Sequence, residues 1–353
     1  MNRREFVKSS AALSILCIPG LLNSKTISAN KVTAGEIIKP KALKPGDSIG
    51  LVSPGSSIDE EELKDSITNI ENLGYKVVYE DSILDSTGFL AGLDDVRADE
   101  LNKMFARDDV DGIICARGGY GAMRIIPQLN YELIRKNTKV LLGYSDITAL
   151  HFALYSQAGV VSFHGPVGIS TFNEYSINYL QSVIGGSSSS LEFISSSEDL
   201  LKDNQAYQRY VINGGSAKGE LVGGNLSIAA ALIGTPYDVS YKNKIVYLED
   251  IGEEPYRIDR MLTELLLAGK LQECSGIALG VFMDCEQDKE KPAYKNSQSL
   301  KEVFFDRLEP LKIPTVYGLS FGHISNKFTI PFGVKAELVS DNYKLRLLEK
   351  AVK

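Results

Sequence analysis

Only three side chains in this sequence have the ordinary chemistry of a general base near neutral pH: His151, His164 and His323. A hydroxyl nucleophile would need one of them. The most conspicuous hydroxyl is Ser145, in Gly143-Tyr144-Ser145-Asp146, where the apolar strand Val140-Leu141-Leu142 stops and helical text begins. A serine on such a corner presents its Oγ at the carboxyl end of a sheet. The N–H of the next residue, Asp146, points to the same place and suits a developing oxyanion. Two readings compete. Ser or Asp before a helix is an ordinary N-cap. The nucleophile elbow is written G-x-S-x-G, and Ile147 stands where its second glycine belongs. On this motif by itself the N-cap reading is favoured.

The search for a base is short. His151 lies five positions after Ser145 within the helix and points away from the helix start. His164, in "FHGP", follows another strand and can reach the same sheet edge. His323 sits on a loop beside Gly322, Ser325 and Asn326, a setting that suits a catalytic base better than a helix interior. Spacing does not choose between His164 and His323. An orienting carboxylate is available at Glu249-Asp250, where an apolar strand ends; the alternative is a loop ion pair with Arg257 or Arg260. The glycines of "ARGGYGAMR" (Gly118, Gly119, Gly121) follow a buried strand and can hold an anion on backbone N–H groups, or simply make a tight turn. They lack dinucleotide-fingerprint spacing and no P-loop lysine follows, which argues against a nucleotide-dependent Rossmann enzyme. There is no HExxH, histidine cluster or cysteine pair, so neither a metal nor a cofactor is expected.

These candidates need elements to hold them. The 353 residues suggest two domains, and 44% hydrophobic content is enough for a sizeable core. A net charge of −7 without a basic block argues against a nucleic-acid partner. From residue 41, apolar strands alternate with helical text, which predicts a parallel sheet covered on both faces. Cys115 reads as a small core residue; with Cys274 and Cys285 it forms no disulfide framework. Around 185–205 the text turns serine-rich and reads as a linker or surface excursion. Beyond it, alternating strands predict a mixed region richer in antiparallel sheet, with a turn at Ser340-Asp341-Asn342. The domains expected are 42–170, a linker 171–212, and 213–350.

Residues 1–30 read differently. Arg3-Arg4 with Phe6 and Lys8, then an apolar stretch from Ala11 to Leu22, is similar to a twin-arginine export signal. Pro19-Gly20 breaks an anchor helix, and the bulky Leu16 argues against a lipoprotein at Cys17. Cleavage after Ala29 or Ala34 is expected, giving a periplasmic protein; a non-functional leader would leave it in the cytoplasm. No apolar run after the leader is long enough to span a bilayer.

The motifs "ARGGYGAMR", "GYSDITALH", "FHGP", "GELVGGNLS", "LEDIGEEPYRIDRML", "FMDCE" and "YGLSFGH" together resemble the LD-carboxypeptidase family of serine peptidases, relatives of the microcin-immunity peptidases. The resemblance covers roughly residues 42–348. It implies Ser145 as nucleophile, His323 as base and Glu249 as its orienting acid. It implies an oxyanion hole from the N–H groups of Asp146 and Gly119. The implied fold is a flavodoxin-like or Rossmann-like parallel-sheet domain with a smaller β-rich C-terminal domain, commonly a homodimer. The implied substrate is a murein tetrapeptide, which loses its terminal D-alanine. A carboxypeptidase must also recognise a free carboxylate, for which Arg117 and Lys327 are the candidates. An amidase acting on aminoacyl-nucleotide analogues would want an aromatic platform. The sequence has no Trp, and only Tyr294 falls in the relevant loop. A non-catalytic peptide-binding protein is the remaining alternative.

Overall fold

Strand β1 (Ser48–Val52) opens a six-stranded sheet whose order is β12-β5-β4-β3-β1-β2. Its other members are β2 (Lys76–Val78), β3 (Gly112–Cys115), β4 (Val140–Gly143), β5 (Ser162–His164) and β12 (Ile330–Phe332). All are parallel except β12, which runs antiparallel to β5. The computed structural model describes residues 37–187, 189–287 and 296–353. The expected export signal, and Tyr294, lie outside the described residues. Among the described residues no helix is long and apolar enough to cross a membrane.

The central strands Gly112–Cys115 and Val140–Gly143 are buried at every position. That fits their unbroken apolar text, because a parallel strand covered on both faces has no solvent side. Cys115 is a core residue there. The helices between strands carry ordinary start signals. Before the helix Glu60–Asn72, Asp59 accepts the Glu62 N–H at 2.8 Å and Glu62 accepts the Asp59 N–H at 3.2 Å. This capping box stabilises the helix start by about 1 kcal/mol.

The second sheet has eight strands in the order β6-β14-β13-β8-β9-β10-β11-β7. They are β6 (Glu192–Phe193), β7 (Tyr210–Asn213), β8 (Ser216–Asn225), β9 (Ile245–Glu249), β10 (Gly276–Val281), β11 (Thr315–Gly322), β13 (Lys335–Val339) and β14 (Lys344–Leu347). Its centre, β8 to β11, is parallel and its flanks are antiparallel. The turn expected at Ser340–Asn342 joins the antiparallel β13 and β14. The fold is thus α/β, with a parallel sheet and a second, curled mixed sheet.

Two features depart from the organisation read from the text. Residues 171–212 hold a helix, Glu174–Ile184, and contribute β6 and β7 to the second sheet, so serine richness here marks ordered structure rather than a plain linker. Strand β12 comes from the C-terminal part of the chain yet completes the first sheet beside His164. The two sheets therefore share one continuous hydrophobic core. They also bring their carboxyl edges together. Ser145 follows β4, Glu249 ends β9, and His323 follows β11.

Candidate active site

The turn after β4 is strained. Ser145 has φ 65°, a left-handed backbone that L-residues with a side chain rarely adopt. It is the first residue of a short 3₁₀ turn, Ser145–Ile147, whose N-cap is Tyr144, and no side-chain cap bond forms there. The N-cap reading of Ser145 is therefore overturned: the hydroxyl is not spent on the helix start. Gly143 is required by packing, since a Cβ there would lie 2.9 Å from Ile147 Cγ1 and Cγ2. Ile147 fills the space that the missing second glycine would have left. His151 supports the same corner from behind. It is buried; its Nε2–H donates to Gly143 O at 3.0 Å and its Nδ1 faces Ser162 Oγ at 2.9 Å. Burial pushes its pKa down to about 3, so it is a neutral structural imidazole.

The two histidines left open by spacing are now distinct. His323 lines a cavity of about 600 Å³ together with Ser145, Gly118, Gly119, Arg117 and Lys327. Its Nδ1 lies 2.7 Å from Glu249 Oε2. His164 is fully buried, with both ring nitrogens lacking a protein partner, and burial holds its pKa down at about 4. It does not line the cavity. Among the described residues no hydrogen bond joins Ser145 to His323; the two side chains face the same space.

Glu249 is 0% exposed. Burial alone would raise its pKa, but the charge and hydrogen bond of His323, helped by His164, bring it below the ordinary value. An ionised Glu249 can only accept, so His323 Nδ1 carries the proton and Nε2 is left to act as base. Asp250 beside it is not paired with Arg257 or Arg260. It accepts from Asn225 Nδ2 at 2.9 Å, from Ser227 N and Oγ at 2.9 and 2.7 Å, and from the Ile251 N–H at 2.9 Å. Burial and the neighbouring Glu249 charge raise its pKa to about 6.

The glycine loop packs directly on the serine. A Cβ on Gly118 would lie 3.0 Å from Ser145 Cβ and 3.3 Å from Asp146 N. Gly119 takes φ +88° against Ser56, and Ser56 Oγ accepts the Tyr120 N–H at 3.1 Å. The Asp146 carboxylate ties the same loop down by accepting the Ala122 N–H at 2.8 Å. The buried Arg97 donates to the carbonyls of Pro54 and Gly121 and pairs with Asp94. The backbone N–H groups of Asp146 and Gly119 thus stand on two segments locked to each other.

The two carboxylate-binding candidates differ in environment. Arg117 reaches the cavity but pairs with Glu62 at 3.1 Å and donates to Ser57 O. Lys327 is only 5% exposed, and its Nζ sits 4.3 Å over the Tyr144 ring. Burial lowers its pKa to about 8, against the opposing pull of Glu249. Among the described residues no carboxylate pairs with it. Ser176 holds its backbone, with Ser176 Oγ accepting the Lys327 N–H at 3.0 Å and donating to Ser325 O at 2.9 Å. No group of His, Cys, Asp and Glu that could hold a metal ion occurs among the described residues.

A strained serine, a histidine on a buried carboxylate and a shared cavity have the parts of a serine hydrolase. Comparison with known proteins agrees. The N-terminal domain of LD-carboxypeptidases matches residues 49–165 and the C-terminal domain matches residues 218–338. A probable murein peptide carboxypeptidase of Bacillus subtilis is 36% identical over 300 residues, covering 85% of this chain and 91% of that protein. The chain belongs to the LD-carboxypeptidase family. It is a serine-type carboxypeptidase, a hydrolase. Among solved structures, the muramoyltetrapeptide carboxypeptidase of Oxalobacter formigenes is 30% identical, with a TM-score of 0.71, covering 85% of this chain and 97% of that one. An MccF-like protein of Bacillus anthracis is 27% identical, with a TM-score of 0.76, covering 88% and 99%.

Several residues of this LD-carboxypeptidase site escape a reading of the text. Tyr144 looks like a spacer in "GYSD", yet its ring packs 4.8 Å from the His323 ring. Tyr207 lies in the stretch read as linker, yet it lines the cavity, with Lys202 Nζ 4.3 Å over its ring. Arg97 is a buried cation inside a helix with ordinary amphipathic text, and no local signal marks it.

Proposed function

We propose that this protein removes the terminal D-alanine from murein tetrapeptides, cutting the amide between the L-centre of the diamino acid and D-alanine. The observation that carries the reading is the convergence of Ser145, at φ 65°, and the Glu249-paired His323 on one cavity. His323 Nε2 takes the Ser145 proton as Oγ attacks the carbonyl carbon. The Asp146 and Gly119 N–H groups stabilise the oxyanion. Collapse of the tetrahedral species expels D-alanine as an amine, protonated by His323, and leaves an acyl-enzyme. Water, deprotonated by His323, then releases the tripeptide and restores Ser145. The Lys327 ammonium, free of carboxylate partners among the described residues, suits the substrate's terminal carboxylate; Arg117, held by Glu62, stands second. The substrate names carried by the Bacillus subtilis and Oxalobacter formigenes relatives support the same substrate class.

A second reading rests on Tyr207 and on the likeness to an MccF-like protein. An aromatic wall in the cavity suits a nucleobase, and the reaction would then be amide cleavage of an aminoacyl-nucleotide analogue. Turnover of muramyl tetrapeptide against an aminoacyl-sulfamoyl adenosine, each with wild type and Ser145→Ala, separates the readings. Serine-dependent D-alanine release with an inert nucleotide analogue supports the first; the reverse supports the second. Ligand binding with no turnover of either would indicate a binding protein. The twin-arginine-like leader further suggests that the reaction runs in the periplasm, on cell-wall turnover peptides, and the family pattern suggests a homodimer. Fractionation of a full-length tagged chain and light scattering of the mature one test these two points.

A further inference from the structure

Tyr144 stands immediately before the strained serine, so its position is fixed by the same corner. Two groups of the site and one buried histidine meet its ring. The His323 imidazole lies 4.8 Å away, centroid to centroid, at 58°. The Lys327 Nζ sits 4.3 Å over the ring. The buried His164 packs edge-on at 6.0 Å and 70°. The phenol is largely withdrawn from water, and burial with the nearby Glu249 charge raises its pKa to about 12. It therefore stays neutral across the working pH range; its hydroxyl hydrogen-bonds with Ser170, and what His323 and Lys327 meet is the ring itself.

Two problems of the site are met by that ring. The single bond from His323 Nδ1 to Glu249 fixes one point of the imidazole and leaves rotation about that axis; a ring packed beside it restricts the rotation and hence the aim of Nε2. Lys327 must keep a charge in a nearly dry place. A carboxylate partner would stabilise the ammonium but would also neutralise it and repel an incoming carboxylate. An aromatic face stabilises the cation without competing for it.

We propose that Tyr144 is a positioning residue whose one ring seats both the base His323 and the substrate-carboxylate anchor Lys327. The proposal rests on the reading above, in which Ser145 attacks and Lys327 receives the terminal carboxylate. It adds a link between them: the base's aim and the anchor's charge depend on the same side chain. The titratable groups around Lys327 are Glu249 from β9, His164 from β5 and Tyr144 itself, with His323 and the Glu62-paired Arg117 lining the same cavity.

The test uses the full chain with Tyr144→Phe, which keeps the ring, and Tyr144→Leu, which removes it but keeps an apolar side chain; Tyr144→Met takes the same measurements if the leucine variant does not fold. The first readout is the rate of Ser145 labelling by a fluorophosphonate, which needs His323 but no substrate carboxylate. The second is KM for a peptide ending in free D-alanine against its C-terminal amide. Phe should label within about twofold of wild type. Leu should label about tenfold or more slowly. Leu should also raise KM about tenfold for the free acid and little for the amide. Without the ring's stabilisation of the ammonium, the pH at which KM for the free acid rises should fall by roughly half a unit or more. Equal labelling of Leu and wild type, with KM for acid and amide moving together, would overturn the proposal. The two readings fail separately. A wild type that is not labelled at Ser145 removes the serine mechanism. A wild type that is labelled but cuts no peptide removes only the substrate, and the labelling arm still judges Tyr144.

Discussion

Replacing Glu249 by Gln keeps the shape of the side chain and removes one charge, which makes it a sharp probe of the His323–Glu249 pair. The carboxylate accepts from His323 Nδ1 at 2.7 Å in a place with no exposure. An amide at 249 can turn its NH₂ toward Nδ1 and donate. The imidazole proton then moves to Nε2, and that nitrogen can no longer take the serine proton. The imidazolium formed during attack also loses its counter-charge in a desolvated site. The expected fall in kcat is about 10³–10⁴-fold, on the scale of the corresponding change in other triads. That corresponds to roughly 4–5.5 kcal/mol of barrier. KM should move by less than about threefold, because the pair touches the reacting proton and not the ground-state peptide. A stability effect accompanies it with a definite sign. The folded-state pKa of Glu249 is depressed, so its ionised form stabilises the fold above the ordinary carboxylate range, and that contribution is lost as pH falls through the depressed value. Glu249→Gln should therefore lower Tm at pH 7 and differ little from wild type in acid. Steady-state D-alanine release and thermal melts measure both. A variant that keeps kcat within about tenfold of wild type would refute the role given to Glu249.

Three further outcomes follow from the same geometry. Lys327 carries its charge below a pKa of about 8, so KM for a free-carboxylate peptide should rise as pH passes 8, while KM for the amidated peptide stays flat; parallel profiles would remove Lys327 as the anchor. Gly118→Ala puts a Cβ 3.0 Å from Ser145 Cβ and 3.3 Å from Asp146 N, so kcat should drop by about 10²-fold or more with Tm lowered only modestly; unchanged kcat would show that this loop does not border the oxyanion. Asp146→Asn keeps a side-chain oxygen for the Ala122 N–H at 2.8 Å but loses the charge facing Arg97, and kcat should fall by about tenfold, read beside fluorophosphonate labelling.

Much of the first sheet is legible in the sequence, because buried parallel strands write themselves as unbroken apolar runs such as Val140–Gly143. The second sheet is less so. Its parallel centre pairs strands far apart in sequence, and β12 crosses into the other sheet, which no local pattern announces. The site shows the same division. The corner at Ser145 is visible as a strand running into a helix start, but its positive φ is a property of the backbone, and Ile147 in the second-glycine position pointed the wrong way. Spacing left His164 and His323 equal; burial separates them, because one is sealed in the core and the other meets a cavity. Tyr144 and Arg97 act through three-dimensional neighbours, and neither belongs to a residue type that marks chemistry by itself. Serine richness between 185 and 205 suggested a linker because composition does not record that β6 pairs with β14.

The central claim is that Ser145 forms an acyl-enzyme during peptide hydrolysis. Acid-quenching the enzyme within the first turnovers of a D-alanine-ended tetrapeptide, followed by intact-mass and peptide-map mass spectrometry, tests it directly. The account predicts an added tripeptide acyl group on the peptide that contains Ser145, absent in Ser145→Ala, which should release no D-alanine above background. D-Alanine release by Ser145→Ala at the wild-type rate, or an acyl group on another residue, would contradict it.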